Sequence, residues 1–244
     1  MLPEWMHIIA SISLLAGVLC AVGIAIDVRR HPQHMKIMNY VWPICALFGH
    51  VLVVPFYARY GRLAAHEVAH PAMQNNETPP HVKQTPFPFK VAKGALHCGS
   101  GCTLGDIIAE TAALSFPSIA VWFGWQTLFD DKLFAVWILD YVLAFVLGIA
   151  FQYFTIVPMR KLSPGQGLLQ AAKADFWSLT AWQVGMYGFM AFAHFYLFPV
   201  VFNQQLVVST LAFWFMMQIA MLCGFLTAYP VNWWLIKVGV KEAM

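Results

Sequence analysis

The chain has 244 residues, 60% of them hydrophobic and only 10% charged, with a mean hydropathy of +0.66 and a net charge of +3. Soluble domains carry about 25% charged residues, so this composition predicts an integral membrane protein. The basic residues are few and scattered over short loops, which excludes a nucleic-acid surface.

The first residues, Met1 to Trp5, lack a basic segment and a small-residue cleavage site, so the first apolar run reads as a retained span. Six helical spans are predicted, each near the ~20 residues needed to cross hydrocarbon. They run from Met6 to Ile26, Ile37 to Tyr57, Gly94 to Trp125, Leu133 to Val157, Phe176 to Val201 and Leu206 to Val238. Pro117 and Pro230 are expected to kink the third and sixth or to end them. The expected fold is an all-α bundle of about six transmembrane helices, and residues 1–244 form a single membrane domain without internal repeats.

Between the second and third spans lies the one sizeable polar segment, residues 61–93. It holds His66, His70 and His81, then Pro79, Pro80, Pro86 and Pro88. Those prolines predict an extended link rather than a long helix. With six spans, a cytoplasmic set of Arg59, Arg62, Lys83, Lys90, Lys93, Arg160, Lys161, Lys173, Lys237 and Lys241 outweighs Arg29, Arg30, Lys36 and Lys132. Both termini are therefore expected in the cytoplasm, with Arg29-Arg30 dissenting. Trp233, Trp234 and Lys237 read as an interfacial anchor.

Cys98, Cys102, Asp106 and Glu110 recur every four residues in the third span. On a helix they form one polar stripe about 18 Å long. Polar groups inside a membrane are costly, so this stripe is the leading functional candidate. Thiolate and imidazole suit soft or borderline ions, which makes His97, Cys98 and Cys102 a candidate copper or zinc site. Asp106 and Glu110 sit about 6 Å apart along the axis, where two charges repel by roughly 2.8 kcal/mol at an effective dielectric near 20. One of them is expected to carry a proton or to share a cation. Gly94, Gly99, Gly101 and Gly105 would let neighbouring helices approach the stripe closely. The bland alternative makes the same residues helix-packing groups.

Other residues carry competing readings. His66-Glu67-Val68-Ala69-His70 matches the zinc metalloprotease pattern of two helical ligands and a general base, although Pro71 disfavours helix at His70. Without a catalytic zinc, His66, His70 and His81 would serve as loop metal ligands. His50 and His194 are expected as hydrogen-bonded core histidines rather than haem ligands. Asp140, a lone carboxyl in an apolar span, needs a partner and is a candidate for one within the membrane. Met216, Met217 and Met221 read as packing residues. Five cysteines without framework spacing argue against disulfides, and Cys20, Cys45 and Cys223 read as small core residues.

Four stretches carry a resemblance: Met38-Asn39-Tyr40-Val41-Trp42-Pro43, His97-Cys98 through Cys102 to Asp106 and Glu110, Trp182-Gln183-Val184-Gly185-Met186-Tyr187, and Tyr229-Pro230-Val231-Asn232-Trp233-Trp234. Together they resemble a largely bacterial multi-pass membrane family known as domain of unknown function 4396. The resemblance implies a protein of the bacterial cytoplasmic membrane and supplies no activity. The segment from Arg62 to Pro86 and the Phe48-Gly49-His50 stretch lie outside that pattern.

The sequence therefore predicts a protein that binds copper or zinc at His97, Cys98 and Cys102 and moves or delivers it past Asp106 and Glu110. A thiol- or quinone-linked oxidoreductase using Cys98 and Cys102 is the second expectation. A non-catalytic subunit of a larger membrane complex is the third, and a homo-oligomer is compatible with all of them. The bilayer and a metal ion are the expected partners.

Overall fold

Long apolar runs broken by proline and polar loops fold as helices, because a helix satisfies its own backbone hydrogen bonds in lipid. The computed structural model describes residues 2–160 and 163–243. Its helices are α1 (Glu4–Arg30), α2 (Met38–Phe56), α3 (His66–Gln74), α4 (Pro80–Gln84), α5 (Phe87–Ser115), α6 (Ser118–Trp122), α7 (Lys132–Arg160), α8 (Pro164–Phe192) and α9 (Leu211–Lys237). A π-helical segment, Ala193–Val201, prolongs α8. No strand forms among the described residues, and the all-α membrane bundle expected from composition is what is found. The proline-rich loop contains two short helices, α3 and α4, instead of an extended link. Pro71 sits inside α3, so His70 is helical after all.

Five segments are long and apolar enough to cross a membrane: Glu4–Arg30, Met38–Ala64, Lys132–Val157, Pro164–Val201 and Leu211–Lys237. The remaining long helix, α5, is too polar to qualify alone. It is instead walled in by α2, α7, α8 and α9, with every residue from Lys93 to Thr103 buried. A helix shielded from lipid on all sides can carry polar residues that a lipid-facing helix cannot. Small residues make that enclosure tight. A side chain at Gly99 would enter the Trp182 ring, and one at Gly105 would lie 2.7 Å from the Ala144 backbone nitrogen. Gly101 faces Gly148 across the α5–α7 contact in the same way.

The second apolar segment departs from expectation. α2 breaks at His50, whose φ of 13° and ψ of −99° are not helical. Beyond His50 the chain runs back beside itself. Trp42 packs against Tyr57 at 5.4 Å between ring centroids and lies against Gly61. At its mouth the hairpin is stitched to the first loop, with His34 N donating to Ala64 O at 2.8 Å and His66 N to Pro32 O at 2.7 Å. Tyr57 donates to Asp27 at 2.6 Å, tying the returning arm to the end of α1. Met38–Ala64 is thus a re-entrant helical hairpin. Twelve helical steps from Met38 to His50 carry its tip about 18 Å along the arm, just past half of a ~30 Å hydrocarbon core.

A broken backbone at that depth must find partners. Gln218 of α9 supplies one, donating to Leu47 O at 2.6 Å while accepting from Ser13 of α1 at 2.7 Å. Gly17 makes the fit possible, since a Cβ there would lie 2.5 Å from the same Leu47 oxygen. α1 otherwise turns Ile8, Ile12, Leu15, Leu19, Val22 and Ile26 outward, toward where lipid would be.

With the hairpin folded back on itself, α1, α5, α7, α8 and α9 run the length of the bundle, and the two chain ends lie at its opposite ends. Trp5 meets Phe202 at one face, 6.2 Å between rings. Lys241 reaches Gly94 O at the other, 3.1 Å away. This corrects the expectation of six spans with both termini on one side. It also resolves the Arg29-Arg30 dissent, because every described lysine and arginine except Lys132 now shares one basic face. Lys161, counted in the topology expectation, lies outside the described residues.

The hairpin yields a clear prediction. Cysteine-labelling or reporter tags at the two termini should score on opposite sides of the membrane, with positions 33 and 65 on the C-terminal side. Both termini on one side would mean that Met38–Ala64 crosses.

Candidate functional site

The stripe on α5 meets protonatable side chains from α7, α8 and the C-terminal segment, so that polar groups run in series along the bundle. At the basic face Lys241, itself buried, donates to Asn232 Oδ1 at 2.7 Å, Gly94 O at 3.1 Å and Ser178 Oγ at 3.2 Å. Its ammonium also acts on Asp175 of α8, a buried carboxylate beside the Cys98 thiol whose two oxygens take no hydrogen bond among the described residues. Space for that carboxylate exists because position 148 is glycine; a Cβ there would collide with Asp175 Oδ2. The Cys98 and Cys102 thiols lie near each other, one turn apart. One turn on, Asp106 hydrogen-bonds to Asp140 of α7. Glu110 follows, within electrostatic reach of Asp140 and Lys132. Lys132 closes the series by donating to Ala113 O at 2.7 Å.

From Gly94 to Ala113 the series covers about 28 Å of helix, close to the ~30 Å of a hydrocarbon core. Asp106, Asp140 and Asp175 are each no more than 2% exposed. Two carboxyl groups in hydrogen-bond contact must share a proton, because only a protonated one can donate. The donors around them fix which. Asp140 Oδ2 accepts from the Tyr187 hydroxyl at 2.6 Å and from Gln183 Nε2 at 3.2 Å. Both donors point at Asp140, so when the two carboxyls share one proton it rests on Asp106, which donates it to Asp140.

The other sequence candidates are distributed differently. His97 is buried but turned to α7, with Nε2 3.1 Å from Thr155 Oγ1 and its ring against Phe151. It stands apart from the two thiols, and no three His, Cys, Asp or Glu among the described residues converge as metal ligands do. His50 faces Ser13 at 3.3 Å, and His194 pairs with Asp131 at 3.0 Å near the opposite face. Cys45 donates to Leu96 O at 3.2 Å, a packing role. Met221 takes a 3.7 Å contact from Thr103, while Met216 and Met217 are buried in the core.

Outside the bundle the loop histidines gather with one that sequence reasoning did not name. His66 stacks on His70 at 4.4 Å and on His34 of the first loop at 6.3 Å. Glu67, the general base of the protease pattern, is instead exposed and paired with His31 at 2.6 Å. Burial pushes His34 below the ordinary histidine range, helped by His66 and His70. Burial lowers His81 to about 4, with Lys93, His34 and Lys90 adding repulsion.

Asp175, Ser178, Asn232 and Lys241 are the column members that sequence reasoning missed as site residues. Asp175 stands at the edge of the predicted fifth span, where a carboxylate reads as interfacial. Lys241 reads as a loop charge. One signal was available: Asn232 belongs to the Tyr229–Trp234 stretch, and a buried amide needs partners.

A family model described as a domain of unknown function (DUF4396) matches residues 90–241. The chain belongs to this family. The match takes in α5 to α9 and every member of the column from Lys241 to Lys132, while α1, the hairpin and α3 lie outside it. So does the Met38–Pro43 stretch that contributed to the resemblance. No curated protein and no solved structure matches the chain.

The loop cluster predicts a pH dependence with a fixed sign. His81 titrates lower in the folded protein than the ordinary ~6.5 of an unfolded chain, so folding favours its neutral form. That stabilisation is complete above about pH 6.5 and is lost as pH falls toward about 4. Proteolysis of residues 66–84 should accelerate between pH 7.5 and 5 more in wild type than in His81→Gln. Equal acceleration would remove His81 as the cause.

Proposed function

We propose that this protein is a transporter of the bacterial cytoplasmic membrane, with its basic face in the cytoplasm, that moves protons along the α5 column. The observation carrying this reading is the series Asp175, Cys98, Cys102, Asp106, Asp140 and Glu110, buried, each within electrostatic reach of the next, and nearly as long as a membrane is thick. Intramembrane ionisable groups that contact one another in series are how proton relays are built.

The chemistry follows from the partners. Lys241 and Lys132 sit at the two ends and offset the charge of Asp175 and Glu110. Between them the Asp106–Asp140 pair holds one proton for two carboxyls. A proton arriving on Asp140 leaves both groups neutral and weakens the shared hydrogen bond, which loses its charged acceptor. A proton leaving toward Glu110 restores negative charge, which draws the next one in. The Tyr187 hydroxyl, also donating to Trp137 O at 2.9 Å, keeps Asp140 oriented through the cycle.

A soft metal ion as the transported species is the second reading. One observation favours it: two neighbouring thiols beside a carboxylate, a donor set that copper or zinc would accept. In that case Cys98, Cys102 and Asp175 would have to draw together around the ion, since no three such groups converge as ligands among the described residues.

Proteoliposomes with an internal pH indicator test the first reading. A potassium diffusion potential should drive acidification at least ~10-fold faster than in empty vesicles, the size of effect that losing about 1.4 kcal/mol of barrier gives. Asp140→Asn should return the rate to background with the protein still monodisperse. Folded wild type without flux would overturn the proton reading. Near-stoichiometric copper or zinc in purified protein, lost in Cys98→Ser/Cys102→Ser, would replace it with the metal one.

A further inference from the structure

The hairpin tip and the column meet at a cavity of about 380 Å³ that is lined by α1, the turn of α2, α5 and α9 and open on its outer side. Its walls are apolar, built from residues such as Leu14, Leu47, Phe48 and Met221, and Asp106 lies among them beside Thr111. That size and lining match a site for a small molecule with an apolar body and one polar anchor point. Half-way across the membrane, at a break in a helix, is also where transporters hold their substrates.

The charge of the site selects its ligand. Lys241 acts on Asp175 and Lys132 on Glu110, but no described lysine or arginine acts on Asp106 or Asp140. With one proton between them, the two carboxyls would carry a negative charge that only hydrogen bonds offset. Nor does any described side chain donate a hydrogen bond to Asp106, the member in the cavity wall. The titratable groups facing it are Cys102 and Glu110 on its own helix, Asp140 on α7 and Tyr187 on α8. α9 and the hairpin tip contribute Gln218 and apolar side chains, while His50 is turned to Ser13.

We infer that this cavity binds a lipophilic cation, whose charge rests on Asp106 and whose apolar groups fill the space beneath the hairpin tip. This rests on the proton-path reading, since binding and relay share Asp106. Arrival of the cation ionises Asp106, and the displaced proton leaves by way of Asp140 and Glu110. One cation bound therefore equals one proton released, and no bond other than O–H is broken or formed. Cation and proton exclude each other at one carboxyl, which is the requirement for exchanging them across a membrane.

The experiment is equilibrium binding of radiolabelled tetraphenylphosphonium to the full chain in nanodiscs. Saturable binding is expected, strengthening as pH rises, with about one proton released per cation in weak buffer. Asp106→Asn should weaken it at least tenfold. Thr111→Trp, which fills the cavity without altering the carboxyl pair, should weaken it similarly and covers the case in which the first variant misfolds. Uncharged triphenylphosphine oxide should compete poorly. Non-saturable partition, unchanged affinity in both variants, or equal competition by the uncharged analogue would overturn the inference. Proton flux without added cation, measured on the same preparations, separates the two readings. Flux without binding rejects only the cation site, and binding without flux rejects the proton path.

Discussion

The rest of this structure depends on the cost of holding ionisable groups away from water. A lone carboxylate in the interior is so unfavourable that it neutralises or finds a partner. α5 carries too many polar groups to face lipid, so it is sheathed by α2, α7, α8 and α9. That sheath in turn requires the glycines facing Trp182 and Ala144. The glycine at 148 has a second consequence, because it admits the Asp175 carboxylate beside the thiols. Packing and electrostatics are therefore one problem here. Enlarging a small residue on these contacts would move a charged group as well as a helix.

The hairpin answers the same constraint in another way. Its turn exposes backbone groups near mid-membrane, and Gln218 and Gly17 exist at that level to receive them. Once Met38–Ala64 is folded back, the basic residues of the first and second loops fall on one face. The family match covers the column but not α1 or the hairpin. The cavity is lined from both parts, by α1 and the hairpin tip outside the match and by α5 and α9 inside it, with Asp106 in its wall.

Much of the site was legible in the sequence, because a four-residue period of Cys, Cys, Asp and Glu has only one helical meaning. Asp140 was also visible as a carboxyl in need of a partner. What could not be read was which helix faces which, so Asp106 was first paired with Glu110 on its own helix rather than with Asp140. The hairpin was hidden for a physical reason: an apolar stretch of 27 residues has the same composition whether it crosses or turns back. The Arg29-Arg30 pair was the one sign of the turn, and it becomes meaningful only once the hairpin is folded back. Asp175 and Lys241 were hidden because a charge near the end of a span ordinarily belongs to the interface. The Cys-based metal expectation leaned on His97, which lies next to Cys98 in sequence but points a different way around the helix.

Distribution of charge along α5 gives the arrangement its direction. Each end sets a lysine within electrostatic reach of an acid, Lys241 of Asp175 and Lys132 of Glu110. The middle has two acids, with hydroxyl and amide donors in place of a cation. There one proton can be held by either Asp106 or Asp140. The same feature leaves room for a cation to substitute for that proton. A lysine at this level would satisfy the carboxyls permanently and abolish both possibilities. Leaving the centre of the membrane one positive charge short is what keeps the column able to respond.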